Sequence, residues 1–355
     1  MDAHLRARPS PLNLLLPEAP PPGSLTPITP DLYWLRLQLP FRLNHVNLWL
    51  IREESGWAIV DTGIHNESTR QTWQALFNPQ ASALPAPHQP SRVIATHYHP
   101  DHIGCAGWLT EHYGIPFYAS LTEWSYGRMI SLLPETVYLE TIGRFYQRFG
   151  LPDSEVQRMR DYGNHYARNV SPLPPSLHTL HHGDGLKIGA HDWQVMTFGG
   201  HSPDHVCLYS ADAKILIAGD QVLPFISPNI STSFFDADAD PLRIYLASLA
   251  VLRTLPADTL VLPSHGIPFR NLHLRIDQLL QHHAERLEQV RLFCQPQSRS
   301  VAELMAHMFK ADLDSHQIMF AIGEAAAHAN HLVGQGQLQS FEENGVLSYR
   351  CPKAP

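Results

Sequence analysis

The sequence predicts an α/β chain of sheets layered with helices, followed by a mainly helical C-terminal module. Three observations predict it. Short apolar runs of buried-strand length recur at residues 57–60, 92–95, 215–218 and 259–262. Helical patterns at 67–77 and 241–255 lie between such runs, as strands and helices alternate in layered α/β folds. From residue 271 onward, helix-period apolar spacing dominates up to a hairpin signal at Asn344-Gly345.

Residues 1–24 are proline-rich and read as a flexible or surface-draped tail. Their apolar patch, 12–16, is too short to span a membrane and lacks a signal-peptide cleavage pattern. Runs at 32–37, 46–51 and 57–60 alternate with polar turns and predict sheet. A helix is expected over 67–77, then a proline-rich loop over 79–90 leading into the strand at 92–95. Further strands are expected at 193–198, 206–209, 215–218 and 259–262. The helix at 241–255 has Pro241 at its start and Pro256 just beyond its end, where each is tolerated. A long helix over 271–293 would turn Leu274, Leu279, Leu280, Leu287 and Val290 inward. Helices at 301–309 and 316–333 precede strands at 337–340 and 346–349.

The densest chemistry is the run Thr96-His97-Tyr98-His99-Pro100-Asp101-His102, directly after the strand at 92–95. A strand end holds alternate side chains on one face, so His97 and His99 can point together. The turn that follows can bring Asp101 and His102 to the same point. With 23 histidines in the chain, a lone pair means little, and His181-His182 and His282-His283 read as surface or packing residues. The run at 97–102 differs because polar partners recur in similar settings. Asp61 ends the strand at 57–60, His201 follows Gly199-Gly200, Asp220 ends the strand at 215–218, and His265 follows 259–262. Strand ends are where open sheets gather ligands, and imidazole with carboxylate suits zinc and its first-row neighbours. The pattern predicts a metal site built for catalysis.

The ordered set Asp61, His97/His99/Asp101/His102, His201, Asp220 and His265 resembles the metallo-β-lactamase-fold superfamily over roughly residues 30–270. The resemblance implies an αββα sandwich as catalytic domain (25–270) with a two-metal site at one edge. It implies that His97, His99 and His201 hold one metal, that Asp101, His102 and His265 hold another, and that Asp220 bridges both. Asp61 would orient the site without binding metal, and His205 resembles the second histidine of glyoxalase-like members, with a loop-orienting role. The nucleophile would be a metal-bridging hydroxide, with Asp220 and Asp101 as the catalytic carboxylates and Asp101 able to relay a proton. Two divalent ions are implied, zinc first, with iron or manganese as alternatives. His99 stands where diiron flavoprotein reductases carry Glu, which favours a zinc-type hydrolase.

The interval between His102 and His201 is long for that fold, so 121–175 reads as an insertion of two or three amphipathic helices, with spacings such as Trp124/Tyr126/Met129/Leu133. It is expected to cap the cleft and to select a small-molecule substrate with an apolar or acyl part. Residues 271–355 resemble the winged-helix extension of the lactamase-like endoribonuclease branch. A nucleic-acid reader should show a basic face, yet 299–355 carries four basic residues against six acidic ones, and 317–333 has no Lys or Arg. The net charge of −8 points the same way. The module is therefore expected to pack, to cover the cleft or to make a homodimer. A length of 355 residues with 44% hydrophobic content predicts more than one domain. Cys105, Cys207, Cys294 and Cys351 form no CxxC, which suits reduced thiols in a cytoplasmic protein without a membrane segment.

The functional expectation is a metal-dependent hydrolase of a thioester, ester or lactone carbonyl. The alternatives are a metal-dependent endoribonuclease, a mononuclear iron dioxygenase of persulfide type and a catalytically silent binding protein. The long interval, the C-terminal module and the lack of a basic glutathione-binding tail depart from glyoxalase II.

Overall fold

The structure is a computed structural model that describes residues 12–309 and 312–352. Two seven-stranded sheets face one another. The first runs Leu25–Thr29, Leu32–Gln38, His45–Arg52, Trp57–Val60, Pro90–Ile94, Phe117–Ala119 and His178–Thr179. The second runs Asn13–Leu14, Phe269–Arg270, Leu260–Pro263, Ile215–Gly219, His205–Ser210, His191–Phe198 and Gly185–Ile188. Strands Trp57–Val60 and Pro90–Ile94 are fully or largely enclosed, and they pair in parallel, as do Ile215–Gly219 and Leu260–Pro263. Continuous apolar runs, rather than alternating ones, are what strands buried on both faces require.

Between the sheets lies a core built on Trp34, Trp49, Val60, Ile94, Val206 and Ile217. Helices Glu67–Leu76 and Ala106–Tyr113 cover the first sheet through Trp73 and Leu109, whereas Pro241–Leu252 and Leu272–Phe293 cover the second through Leu249 and Ile276. The result is the αββα sandwich with the helical insertion and helical C-terminal module. In that module, helices Val301–Met308 and Ser315–Gly334 pack on a three-stranded sheet of Arg299–Ser300, Val346–Arg350 and Gln339–Glu343. Asn344 and Gly345 both adopt positive φ, 52° and 78°, the geometry a two-residue hairpin turn needs.

Several local expectations change. The tail expected over 1–24 lies outside the described residues up to residue 11. Beyond it, Asn13–Leu14 is an edge strand on Phe269–Arg270, and Leu12 is buried in the core. Unpaired strand edges recruit backbone partners, which is why a short apolar patch docks there. The insertion holds four helices, Leu121–Leu132, Glu135–Arg148, Asp153–Tyr162 and His165–Asn169, rather than two or three. Met129 faces solvent, while Ile130, Tyr138, Tyr146 and Met159 join one core with Leu304, Ile322 and Tyr349 of the C-terminal module. On Leu272–Phe293 the buried face is Leu272, Ile276, Leu279, His283 and Val290; Leu280 is exposed and Leu274 and Leu287 are only partly covered. The buried face shares Leu279 and Val290 with the expected stripe and takes Leu272, Ile276 and His283 in place of Leu274, Leu280 and Leu287. Arg275 lies on this face as well, turning inward to donate to the Leu223 and Ile226 carbonyls.

Candidate metal centre

The site forms where four strands end at one edge of the sandwich. Asp61 follows Trp57–Val60, the 96–102 run follows Pro90–Ile94, Asp220 follows Ile215–Gly219, and His265 follows Leu260–Pro263. Backbone bonds stitch the two sheets together there: Val206 N–H donates to Thr96 O (2.8 Å), and Asn47 N–H donates to Ser264 O (2.7 Å). The side chains are thus delivered from both sheets onto a rigid rim.

His97, His99 and His201 form one group and Asp101, His102 and His265 a second; within each, the inward atoms lie within 4.8 Å of one another. His97 Nε2 stands 2.9 Å from His99 Nδ1 and 3.2 Å from His201 Nε2. His102 Nε2 and His265 Nε2 each lie 3.5 Å from Asp101 Oδ2. Asp220 sits between the groups, with Oδ2 3.3 Å from His201 Nε2 and Oδ1 3.3 Å from His265 Nε2 and 3.7 Å from His102 Nε2.

The outward nitrogens assign the tautomers. His102 Nδ1–H donates to Asp61 Oδ2 (2.8 Å), His201 Nδ1–H to the Asn229 carbonyl (2.8 Å), and His265 Nδ1–H to the His45 carbonyl (2.7 Å). His97 Nδ1–H donates to Thr96 Oγ1 (3.0 Å), whose hydroxyl passes on to Asp61 Oδ2 (2.8 Å). With the proton outward, each inward Nε2 presents a lone pair. Lone pairs this close repel unless a cation or a proton lies between them. Zn–N bonds of about 2.0–2.1 Å in a tetrahedron space nitrogens about 3.3 Å apart, near the separations here. His102 Nε2 and Asp220 Oδ1 are buried without any hydrogen-bond partner. Buried polar atoms are nearly always satisfied, and these two stand 3.7 Å apart, where one divalent ion would satisfy both. The donor set fits divalent metal.

The electrostatics agree. Burial, reinforced by neighbouring imidazoles, holds His97 well below its ordinary range and His99 at about 3. Burial opposes charge on His102 as well, but Asp101, Asp220 and Asp61 overcome it and raise that group well above. Desolvation likewise works against the Asp220 carboxylate, which His265 and His102 nonetheless hold well below the usual range. In the metal-free protein a proton therefore competes for the place a metal would take.

Asp61 binds no partner from the two groups except His102, and it also accepts from Thr96 N–H (2.7 Å). Its φ of 62° is left-handed, a conformation that Asp tolerates better than most residues and that clusters at functional sites. His205 opens the strand His205–Ser210 rather than lying in the loop, and its Nε2 accepts from the Asp220 N–H (3.1 Å). It anchors the backbone that carries Asp220. Gly219 must stay small for this contact, since a Cβ there would meet the His205 ring at 2.4 Å. His181 and His182 are exposed; His283 is buried against His328, with Nδ1 to Nε2 at 3.2 Å.

Sequence reasoning missed four participants. Thr96 links two members of the site, but a lone threonine carries no signal. The carbonyls of Asn229 and His45 have no sequence signature at all. Glu123, in the insertion helix Leu121–Leu132, is fully buried and accepts three hydrogen bonds from the loops around His97 and His201. Burial pushes its carboxyl up to about 7 against the pull of those donors. An acid flanked by Trp124 and Tyr126 in a helix was the only hint.

A profile of the metallo-beta-lactamase superfamily matches residues 42–265, and one of the metallo-beta-lactamase-like C-terminal domain matches 287–352. The chain belongs to the metallo-beta-lactamase superfamily. A crystal structure of a beta-lactamase domain protein from Burkholderia ambifaria is 39% identical with a TM-score of 0.87, covering 96% of this chain and 98% of that one. A metallo-beta-lactamase family protein from Thermus thermophilus is 26% identical with a TM-score of 0.75, over 92% and 100%. Among curated proteins, the acyl-coenzyme A thioesterase MBLAC2 of Bos taurus is 28% identical over 54% of this chain. The match spans 63% of that relative's own length. Hydroxyacylglutathione hydrolase GloC of Haemophilus influenzae is 25% identical over 36% of this chain and 48% of its own.

Proposed function

We infer that the chain is a two-metal hydrolase of a thioester, ester or lactone carbonyl. The observation that carries this reading is the stance of Asp220, one oxygen turned to His201 and the other, otherwise unpartnered, to His102 and His265. His97, His99 and His201 would hold one ion, Asp101, His102 and His265 the second, with Asp220 shared and zinc the preferred metal. Bound metal acidifies water towards neutrality and polarises the oxygen under attack. The protein's part is to fix the tautomers through Asp61, Thr96, Asn229 and His45, and to hold the ligands on a rigid rim. Asp101, whose side chain is partly exposed, would relay a proton between the attacking water and the leaving group.

The acyl-coenzyme A thioesterase and the hydroxyacylglutathione hydrolase among the relatives support a thioester over a phosphodiester. So does the helix Ser315–Gly334, which presents no Lys or Arg to a nucleic acid. The insertion reads as a cap: Tyr98 packs on Tyr126, and Phe41, His165 and His316, from three separate regions, cluster with ring centroids 4.5–5.5 Å apart. These surfaces suit an acyl or aromatic part of a small substrate. All four cysteines are free, which supports a reducing, cytoplasmic setting; no helix among the described residues is long and apolar enough to cross a membrane.

The test is elemental analysis of the purified chain followed by an acyl-thioester and lactone panel. About two zinc per chain with thioester or lactone turnover is the expected result. About one iron per chain, with oxygen consumed on a persulfide, would replace this reading with the dioxygenase alternative. Steeply salt-dependent binding and cleavage of single-stranded RNA would replace it with the nuclease.

A further inference from the structure

The Glu123 carboxylate joins two loops that are distant in sequence and carry one metal-binding group. Its Oε2 accepts from the Tyr98 N–H (2.8 Å), and Tyr98 stands between His97 and His99. Its Oε1 accepts from the Ser202 hydroxyl (2.8 Å) and the Asp204 N–H (2.6 Å), on the loop that begins with His201. The side chain is fully buried, and its own helix end is pinned where Ser120 Oγ accepts the Glu123 N–H (3.2 Å). No ion pair to Lys, Arg or His accompanies it among the described residues. A buried carboxyl costs several kcal/mol unless hydrogen-bonded, so this one is held in place by the three donors it joins.

Tyr98 and Ser202 border His97, His99 and His201, and Asp204 closes the same His201 loop just before His205; none of the three borders Asp101, His102 or His265. We propose that Glu123 is a positioning residue that sets the spacing between His97/His99 and His201 and so governs affinity for the first metal alone. The insertion would then carry part of the site's scaffold as well as its cap. This rests on the two-metal reading.

Glu123→Gln keeps the shape but turns an NH2 towards a donor, whichever way the amide faces. Metal-free full-length protein, checked for fold by circular dichroism, is titrated with zinc against a chromophoric chelator, alongside His201→Ala and His265→Ala. The expected result is a roughly 10–100-fold loss at one site only, with a residual isotherm that overlays His201→Ala and not His265→Ala. Ser202→Ala, which removes one donor and leaves no buried charge unpaired, should weaken the same site less; it decides the question should Glu123→Gln fail to fold. Equal weakening of both sites in either variant means general destabilisation and overturns the proposal, as does an unchanged titration. Wild-type protein that takes up no zinc overturns the metal centre itself, a different failure from wild-type binding with Glu123→Gln unaltered.

Discussion

Replacing Asp61 by Asn isolates a single physical question, because Asn is nearly isosteric and also tolerates the left-handed backbone at φ 62°. The Asp61 carboxylate accepts from Thr96 N–H, Thr96 Oγ1–H and His102 Nδ1–H at 2.7, 2.8 and 2.8 Å. With an amide, two orientations exist. If the NH2 faces Thr96 N–H, two donors meet on a buried backbone that cannot retreat. If it faces His102, that ring must accept through Nδ1, and its proton moves to Nε2. Nε2 is the inward atom beside Asp101 and Asp220, so the change blocks a ligand. Losing one charge-assisted hydrogen bond in such a place costs about 1.5–3 kcal/mol. At about 1.4 kcal/mol per tenfold, that is roughly a 10- to 150-fold loss of metal affinity. The loss should be larger on the Asp101/His102/His265 group, which Asp61 meets directly at His102, and smaller on the His97 group, which it reaches only through Thr96 Oγ1. A two-step zinc titration reads it, and a variant isotherm that overlays wild type would refute the tautomer argument. Thioester turnover should fall with the second site, and the metal-free chain should melt at a lower temperature, because the same buried hydrogen bonds are lost there.

Two further outcomes probe the C-terminal module. A Cβ on Gly323 would meet Thr232 O at 2.5 Å and Ser231 Cβ at 2.8 Å, so Gly323→Ala should push Ser315–Gly334 away from the 229–232 segment. Overpacking of this kind costs ~1–3 kcal/mol, measurable as a lower urea midpoint, and it should also weaken the His201 group because Asn229 O holds the His201 ring. An unchanged midpoint would mean the helix shifts freely. Burial lowers His328 to about 4 and His283 to about 2, against an ordinary 6.5. Below that ordinary value the unfolded chain binds more protons than the folded one, so stability is full above pH 6.5 and is lost as pH falls towards 4. His283→Phe should flatten this slope by about one proton in urea melts of the metal-free chain; an identical slope would place the titration elsewhere.

What the sequence by itself determined is local. Apolar runs such as 57–60 and 215–218, of strand length and bounded by turn residues, read as buried strands, and Pro241 and Asn344-Gly345 mark a helix start and a hairpin on steric grounds. Histidines and aspartates at successive strand ends announced the metal chemistry, since no core needs seven such groups in those places. Where the sequence stopped, contacts between distant segments took over. The buried face of Leu272–Phe293 includes Arg275, bonded to the Leu223 and Ile226 carbonyls, and no helical period encodes that. Asn13–Leu14 became a strand only because Phe269–Arg270 left an edge to fill. The supports of the site lay furthest from view: two backbone carbonyls, a threonine hydroxyl and Glu123. Their roles come from where the fold puts them, because a contact across 104 residues, such as that between His201 and His97, is written only in three dimensions.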